Sequence, residues 1–300
     1  MFGRMKFNMV LGNHPASAIN TTRDHTLIIR GGLEEAGHSA QLSMNDVFHG
    51  EMNVFFDYFD AEAPEYFRFL RNAGYEYGLI TTEILKDGIL NYKKDPSSTA
   101  RIKAVNDIAR HARFVWVMHE PSLQSYRALC EHDRCYALPL GYTEAVHEVA
   151  RRPYEERDID FLFFGLPTPH RLGLLEKLGS YGYVTRHIYD VPGFIRNSII
   201  ERSKINLSMR QDATWDQPSV GRISYLVSNR CALVVEQTVN GRPYEDYAIV
   251  AKPDSLVEIC IETLTGGTFG ETAESYANAF QRDFPMKRMM MDLIQQTFGR

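Results

Sequence analysis

DIDFLFFG (158–165), KINLSM (204–209) and CALVVEQ (231–237) are short apolar runs in the second half of the chain, and the segments between them decide the fold. PTPHRLGLLEKLGSYG (167–182), FIRNSIIERS (194–203) and VGRISYLVSN (220–229) are amphipathic stretches of helical length. YVTRHIY (183–189) adds a strand candidate between the first two, and DYAIVAKPDSLVEICIETL (246–264) closes the series. Strand-length runs alternating with helices read as a parallel sheet wrapped by crossover helices. Such a sheet binds ligands beyond the carboxyl ends of its strands. Gly165, Arg171, Arg210 and Glu236 fall there and are the candidate site residues of this half.

The first half has the same rhythm. Its strand candidates are KFNMVLG (6–12), HSAQLSM (38–44), NVFFDYF (53–59), YGLITTEI (77–84), FVWVM (114–118) and CYALPLGY (135–142). The predicted helices are 20–37, capped near Asn20 and stopped at Gly37, then 63–74, 98–112 and 122–132. The charged, Pro-containing stretch TEAVHEVARRPYEER (143–157) reads as a linker. The expected division is therefore an N-terminal Rossmann-like domain, 1–142, and a C-terminal one, 158–300. The last segment reads as helices broken at Pro285, the final one available to pack back on the first domain, with Met289–Met291 as a packing surface.

Composition narrows the function classes. Three hundred residues with 44% hydrophobic and 24% charged side chains suit a globular protein of two ordinary domains. A net charge of −5 gives no general field for nucleic acid or an anionic membrane. No apolar run approaches the roughly 20 residues of a membrane span. The N-terminus has no secretory pattern, and Cys130, Cys135, Cys231 and Cys260 form no disulfide framework, so a cytoplasmic location is expected. There is no G-x-G-x-x-G, no Walker loop, no metal-ligand spacing and no nucleophile elbow. Asp158-Ile-Asp160 sits at the start of a strand, the wrong end for a ligand site.

The order of FLFFG, a following Arg, IIERSKINLSM and GRISYLVSNRCALVVEQ resembles the C-terminal domain of GT-B glycosyltransferases. It is most similar to the CgeB-type, group 1-like kind, and LPLGY (138–142) resembles the segment that closes their N-terminal domain. The resemblance implies two Rossmann-like domains facing across a cleft. The C-terminal domain would hold a nucleoside-diphosphate sugar such as a UDP-sugar, and the N-terminal one an acceptor. It implies no cofactor and no metal. Gly165 and Arg171, Arg210 and Arg222 would then meet the diphosphate, because fixed cations offset the charge that grows on a leaving pyrophosphate. Glu236 would accept from donor hydroxyls. A base for the acceptor is sought among His14, Asp24 and His25, around the first-strand loop, and His119 and Glu120, at a second strand end. The chain departs from the family at Arg222-Ile-Ser-Tyr, where no carboxylate follows the Arg, and at SNRCA, which replaces a small turn ending in Gly. Two other readings follow: a binding or partner subunit without chemistry, and a nucleotide-sugar epimerase of the same architecture.

Overall fold

The structure, a computed structural model, describes residues 3–12, 16–57, 60 and 62–299, with the backbone alone for 16–18. The chain divides into two units. One comprises the described residues of 1–14, 32–139 and 287–300, the other those of 15–31 and 140–286.

The first unit is built on β1 (Lys6–Leu11), β2 (Ser39–Met44), β3 (Met52–Phe56), β4 (Tyr77–Thr81), β7 (Val115–Val117) and β8 (Cys135–Ala137). They form one parallel sheet in the order β2-β1-β3-β4-β7-β8. A hairpin, β5 (Leu85–Lys86) and β6 (Ile89–Leu90), leaves this sheet after β4 and was not expected from the sequence. The helices are the end of α1 (Ala16–Glu35), α2 (Ala63–Asn72), α3 (Pro96–Ala109), α4 (Leu123–Cys130) and most of α10 (Met286–Phe298). The start of α3 shows the local cause: Asp95 accepts from the Ser98 amide and Pro96 opens the first turn. Phe55, Phe67 and Tyr77 pack in the core, Phe55 meeting Phe67 edge to face. The last helix joins this unit through Phe298 against Phe114 and a Trp116 Nε1 to Thr297 Oγ1 hydrogen bond of 3.1 Å. Of the methionine run, Met290 is buried and Met291 exposed.

The second unit carries β9 (Ile159–Phe164), β10 (Thr185–Ile188), β11 (Ser203–Ser208), β12 (Leu233–Glu236) and β13 (Ile249–Ala251), parallel throughout in the order β10-β9-β11-β12-β13. Its own helices are α5 (Pro169–Ser180), α6 (Gly193–Glu201), α7 (Val220–Ser228), α8 (Leu256–Gly266) and α9 (Phe269–Asp283). Phe161, Phe163, Ile205, Leu207 and Val234 form the centre of its core. In both sheets the second strand lies to one side of the first and the third to the other. This order has its topological switch point between β1 and β3, and between β9 and β11, where ligands bind in open α/β sheets.

The division differs from the expected one. Helix α1 begins at Ala16 rather than Asn20, and its residues up to Gly31 belong to the second unit. The stretch read as a linker is also part of that unit. Asn229 accepts from the Glu148 and Val149 amides and donates to the Val146 carbonyl, tying the segment to the end of α7. The charge and Pro153 that suggested a linker belong to a packed crossing segment. Among the described residues, no helix is long and apolar enough to cross a membrane.

Candidate functional site

Gly165 directly follows β9 at the switch point of the second unit. Its φ is +144°, a backbone region that L side chains rarely adopt. A Cβ there would lie 2.6 Å from Arg222 Nη2 and 3.1 Å from the Phe163 ring. The missing side chain is therefore what lets Arg222, from the first turn of α7, reach the end of β9. The guanidinium lies over Phe163 and Phe164, 5.0 and 5.2 Å from the ring centroids. Its Nε and Nη1 are buried and have no hydrogen-bond partner among the described residues. Burial, then the charge of Arg171, pushes it down to about 9, which leaves it protonated near neutral pH.

Arg171 is placed at the same edge but is fully engaged. Its guanidinium donates to the carbonyls of Leu166, Met209 and Arg210 at 3.0–3.3 Å, so it braces the loops that follow β9 and β11. Thr168 caps α5 by accepting from the Arg171 amide, which fixes where this side chain starts. Burial lowers Arg171 to about 10. Each of its three guanidinium nitrogens donates to a carbonyl, and it adds a fixed positive charge to the edge.

Glu236 ends β12, and Arg210 follows β11. The Glu236 carboxylate accepts from the Arg210 amide (2.9 Å), Arg210 Nε (3.0 Å) and His170 Nε2 (2.9 and 3.0 Å). Arg210 and Glu236, expected as separate ligand contacts, are instead joined to each other. His170, on the first turn of α5, was not singled out.

Asp24 and His25 come to this edge from α1. Asp24 is buried in a two-point pair with Arg196 of α6 at 2.7 and 2.9 Å. Burial raises its carboxyl and Arg196 opposes the rise. This two-point pair anchors α1 to α6. His25 lies against Gly221, where a Cβ would sit 2.2 Å from its Nε2. Its Nδ1 is buried without a partner among the described residues. Burial, then Arg222, lowers it to about 4, so it is neutral near pH 7. Tyr225, which stands where the resembled family carries its Glu, donates to Asn197 Oδ1 (2.7 Å) and Glu148 Oε2 (3.1 Å). Glu148 also pairs with Arg23. The segment read as a linker thus supplies a carboxylate beside α7 that the motif position lacks.

His119 and Glu120 stand after β7 in the first unit, His119 half-buried and Glu120 exposed. His14 lies outside the described residues. The carboxyl end of β3 carries a group that the sequence did not reveal. Asp57 accepts from the Thr82 amide at 2.8 Å and from the Thr82 hydroxyl, while Glu83 pairs with Arg101 and accepts from Asn91. Burial, then Glu83, pushes Asp57 up to about 7. The residues that make this cluster are distant in sequence, so no local pattern marks it. Among the described residues, no group of three or more His, Cys, Asp and Glu could hold a metal ion.

No protein-family model and no curated protein matches the chain. Solved structures do. AviGT4, a glycosyltransferase involved in avilamycin A biosynthesis, is 15% identical with a TM-score of 0.56, covering 98% of this chain and 97% of its own. TarM is 9% identical with a TM-score of 0.57 over 83% of this chain, which spans 55% of TarM. A UDP-N-acetylglucosamine 2-epimerase is 10% identical with a TM-score of 0.50, covering 100% and 98% of the two chains. At such identities the likeness speaks for the fold: this chain is built of two Rossmann-like domains, as are the GT-B glycosyltransferases among its structural neighbours.

Proposed function

We propose that the chain is a glycosyltransferase of the CgeB-like, group 1 kind, which moves a sugar from a nucleoside-diphosphate donor to an acceptor without a metal. One observation carries the reading. Arg222 holds two buried N–H-bearing nitrogens, Nε and Nη1, with no acceptor among the described residues, beside a glycine at the switch point of a parallel sheet. A buried unpaired cation is costly and is kept where a ligand completes it. An anion is the ligand that fits. When the bond from the anomeric carbon to the phosphate oxygen breaks, charge grows on that oxygen. Arg222 donates to it, Arg171 adds fixed charge, and the N-terminus of α5 adds the positive end of its dipole.

Calorimetry with the uridine, guanosine, adenosine, cytidine and thymidine diphosphates tests this. The expected result is binding of at least one, weakened in Arg222→Met by roughly 10- to 100-fold, the scale of a charge-assisted hydrogen bond. Binding of none at millimolar concentration refutes the proposal.

A second reading is a nucleotide-sugar epimerase, favoured by the end-to-end coverage of the epimerase structure. Incubation with a donor sugar nucleotide alone separates the two. An isomerised sugar nucleotide supports the epimerase; turnover only when an acceptor is supplied supports the transferase.

A further inference from the structure

Glu236 is sealed. Its side chain is 0% exposed, and Arg210 and His170 approach both of its oxygens. A ligand hydroxyl has no path to that carboxylate while those two groups remain in place. Of the two side chains that cover Glu236, His170 is the more exposed, at 29% against 14% for Arg210. His170 sits in the first turn of α5, at the carboxyl edge of the sheet that also carries Gly165 and Arg222.

The geometry fixes the ring. Nε2 lies between the two carboxylate oxygens, so it carries a proton directed at Glu236. Nδ1 points away and has no hydrogen-bond partner among the described residues. Arg210 already balances the charge of Glu236, so a protonated His170 adds net positive charge to this edge. The nearby acid is Asp212, whose carboxylate accepts from the Thr214 amide and hydroxyl. The arrangement is a buried acid that holds an imidazole by one nitrogen and presents the other.

We propose that His170 is the ligand contact of the β12 edge, its ring taking up a second proton at Nδ1 as the diphosphate binds and donating it to a phosphate oxygen, and that Glu236 and Arg210 are its positioning residues. The proposal rests on the reading of this unit as a nucleoside-diphosphate site. It replaces the expected role of Glu236 as an acceptor for donor hydroxyls.

The test compares affinities for the best-bound nucleoside diphosphate and for the matching nucleoside, in the full chain. His170→Ala is expected to weaken the diphosphate by roughly 10- to 100-fold, the scale of one charge-assisted hydrogen bond, and to leave the nucleoside unchanged. Should that variant not fold, His170→Gln serves: its amide can still donate to Glu236 but puts no cation outward, and the same selective loss is expected. Glu236→Gln should reproduce part of that selective loss, because the ring then lacks its charged anchor. A merely structural role would lower both affinities together, and that result overturns the proposal. So does diphosphate binding that His170→Ala and His170→Gln leave intact, with Arg222→Met still impairing it; the reading of the site survives that outcome. Wild type that binds no diphosphate overturns both.

Discussion

Replacing Arg222 by Met should make the unliganded protein more stable while removing its response to a nucleotide. Arg222 sits at about 9 instead of 12.5. At about 1.36 kcal/mol per pH unit, the gap corresponds to at most about 5 kcal/mol against carrying the charge in the folded state. Part of this is not recovered. Met gives up the contacts with the faces of Phe163 and Phe164, about 0.5–2 kcal/mol for a cation over aromatic rings, and fills the space less well. A net gain of about 1–2 kcal/mol is expected, in line with the behaviour of sites where function is kept at the expense of stability. Urea unfolding of the unliganded protein measures the gain, and a thermal scan should show a rise of about 2–4 °C per kcal/mol. Repeating the scan with a saturating nucleoside diphosphate should show the wild-type shift reduced or lost. A less stable variant would mean that the guanidinium is a structural tie. A stabilised variant with an undiminished nucleotide shift would place the ligand elsewhere.

Three further outcomes are expected. Gly165→Ala should cost about 1–3 kcal/mol from backbone strain alone and displace the end of Arg222, so urea unfolding and nucleotide affinity should fall together. Asp24→Asn leaves Arg196 buried without its carboxylate and should destabilise by about 3–5 kcal/mol; a change under about 1 kcal/mol would contradict the buried pair. His25 is lowered from 6.5 to about 4, so the unfolded chain binds its proton first as pH falls. Stability from this residue is therefore present above pH 6.5 and lost as pH falls towards 4, by up to about 3 kcal/mol, and His25→Gln should flatten that part of the pH–stability curve.

Much of the architecture was legible because the central parallel strands are buried on both faces and read as continuous apolar runs. MNVFF, FLFF and LVVE announce β3, β9 and β12 without help from tertiary context. The site was legible only as a set of residues at strand ends. That Arg171 would bind three carbonyls, while Arg222 Nε and Nη1 would find no acceptor among the described residues, depends on loop paths that spacing does not encode. The pairing of Glu236 with His170 spans 66 residues, and that of Asp24 with Arg196 spans 172. Neither carries a local signature. The hairpin of β5 and β6 was missed for a simpler reason: its strands are two residues each, too short for any alternation to show.

Helix α1 changes allegiance at Gly31–Gly32, and the closing helix returns to the first unit after the second is complete. Neither half of this protein is thus a contiguous piece of polypeptide. A fragment beginning at Asp158 and expressed alone would lack Asp24 and would strand Arg196 in an apolar setting. Dissection of the molecule has to follow the path of α1, with a circularly rearranged or co-expressed pair of segments, rather than the composition break that the eye finds first.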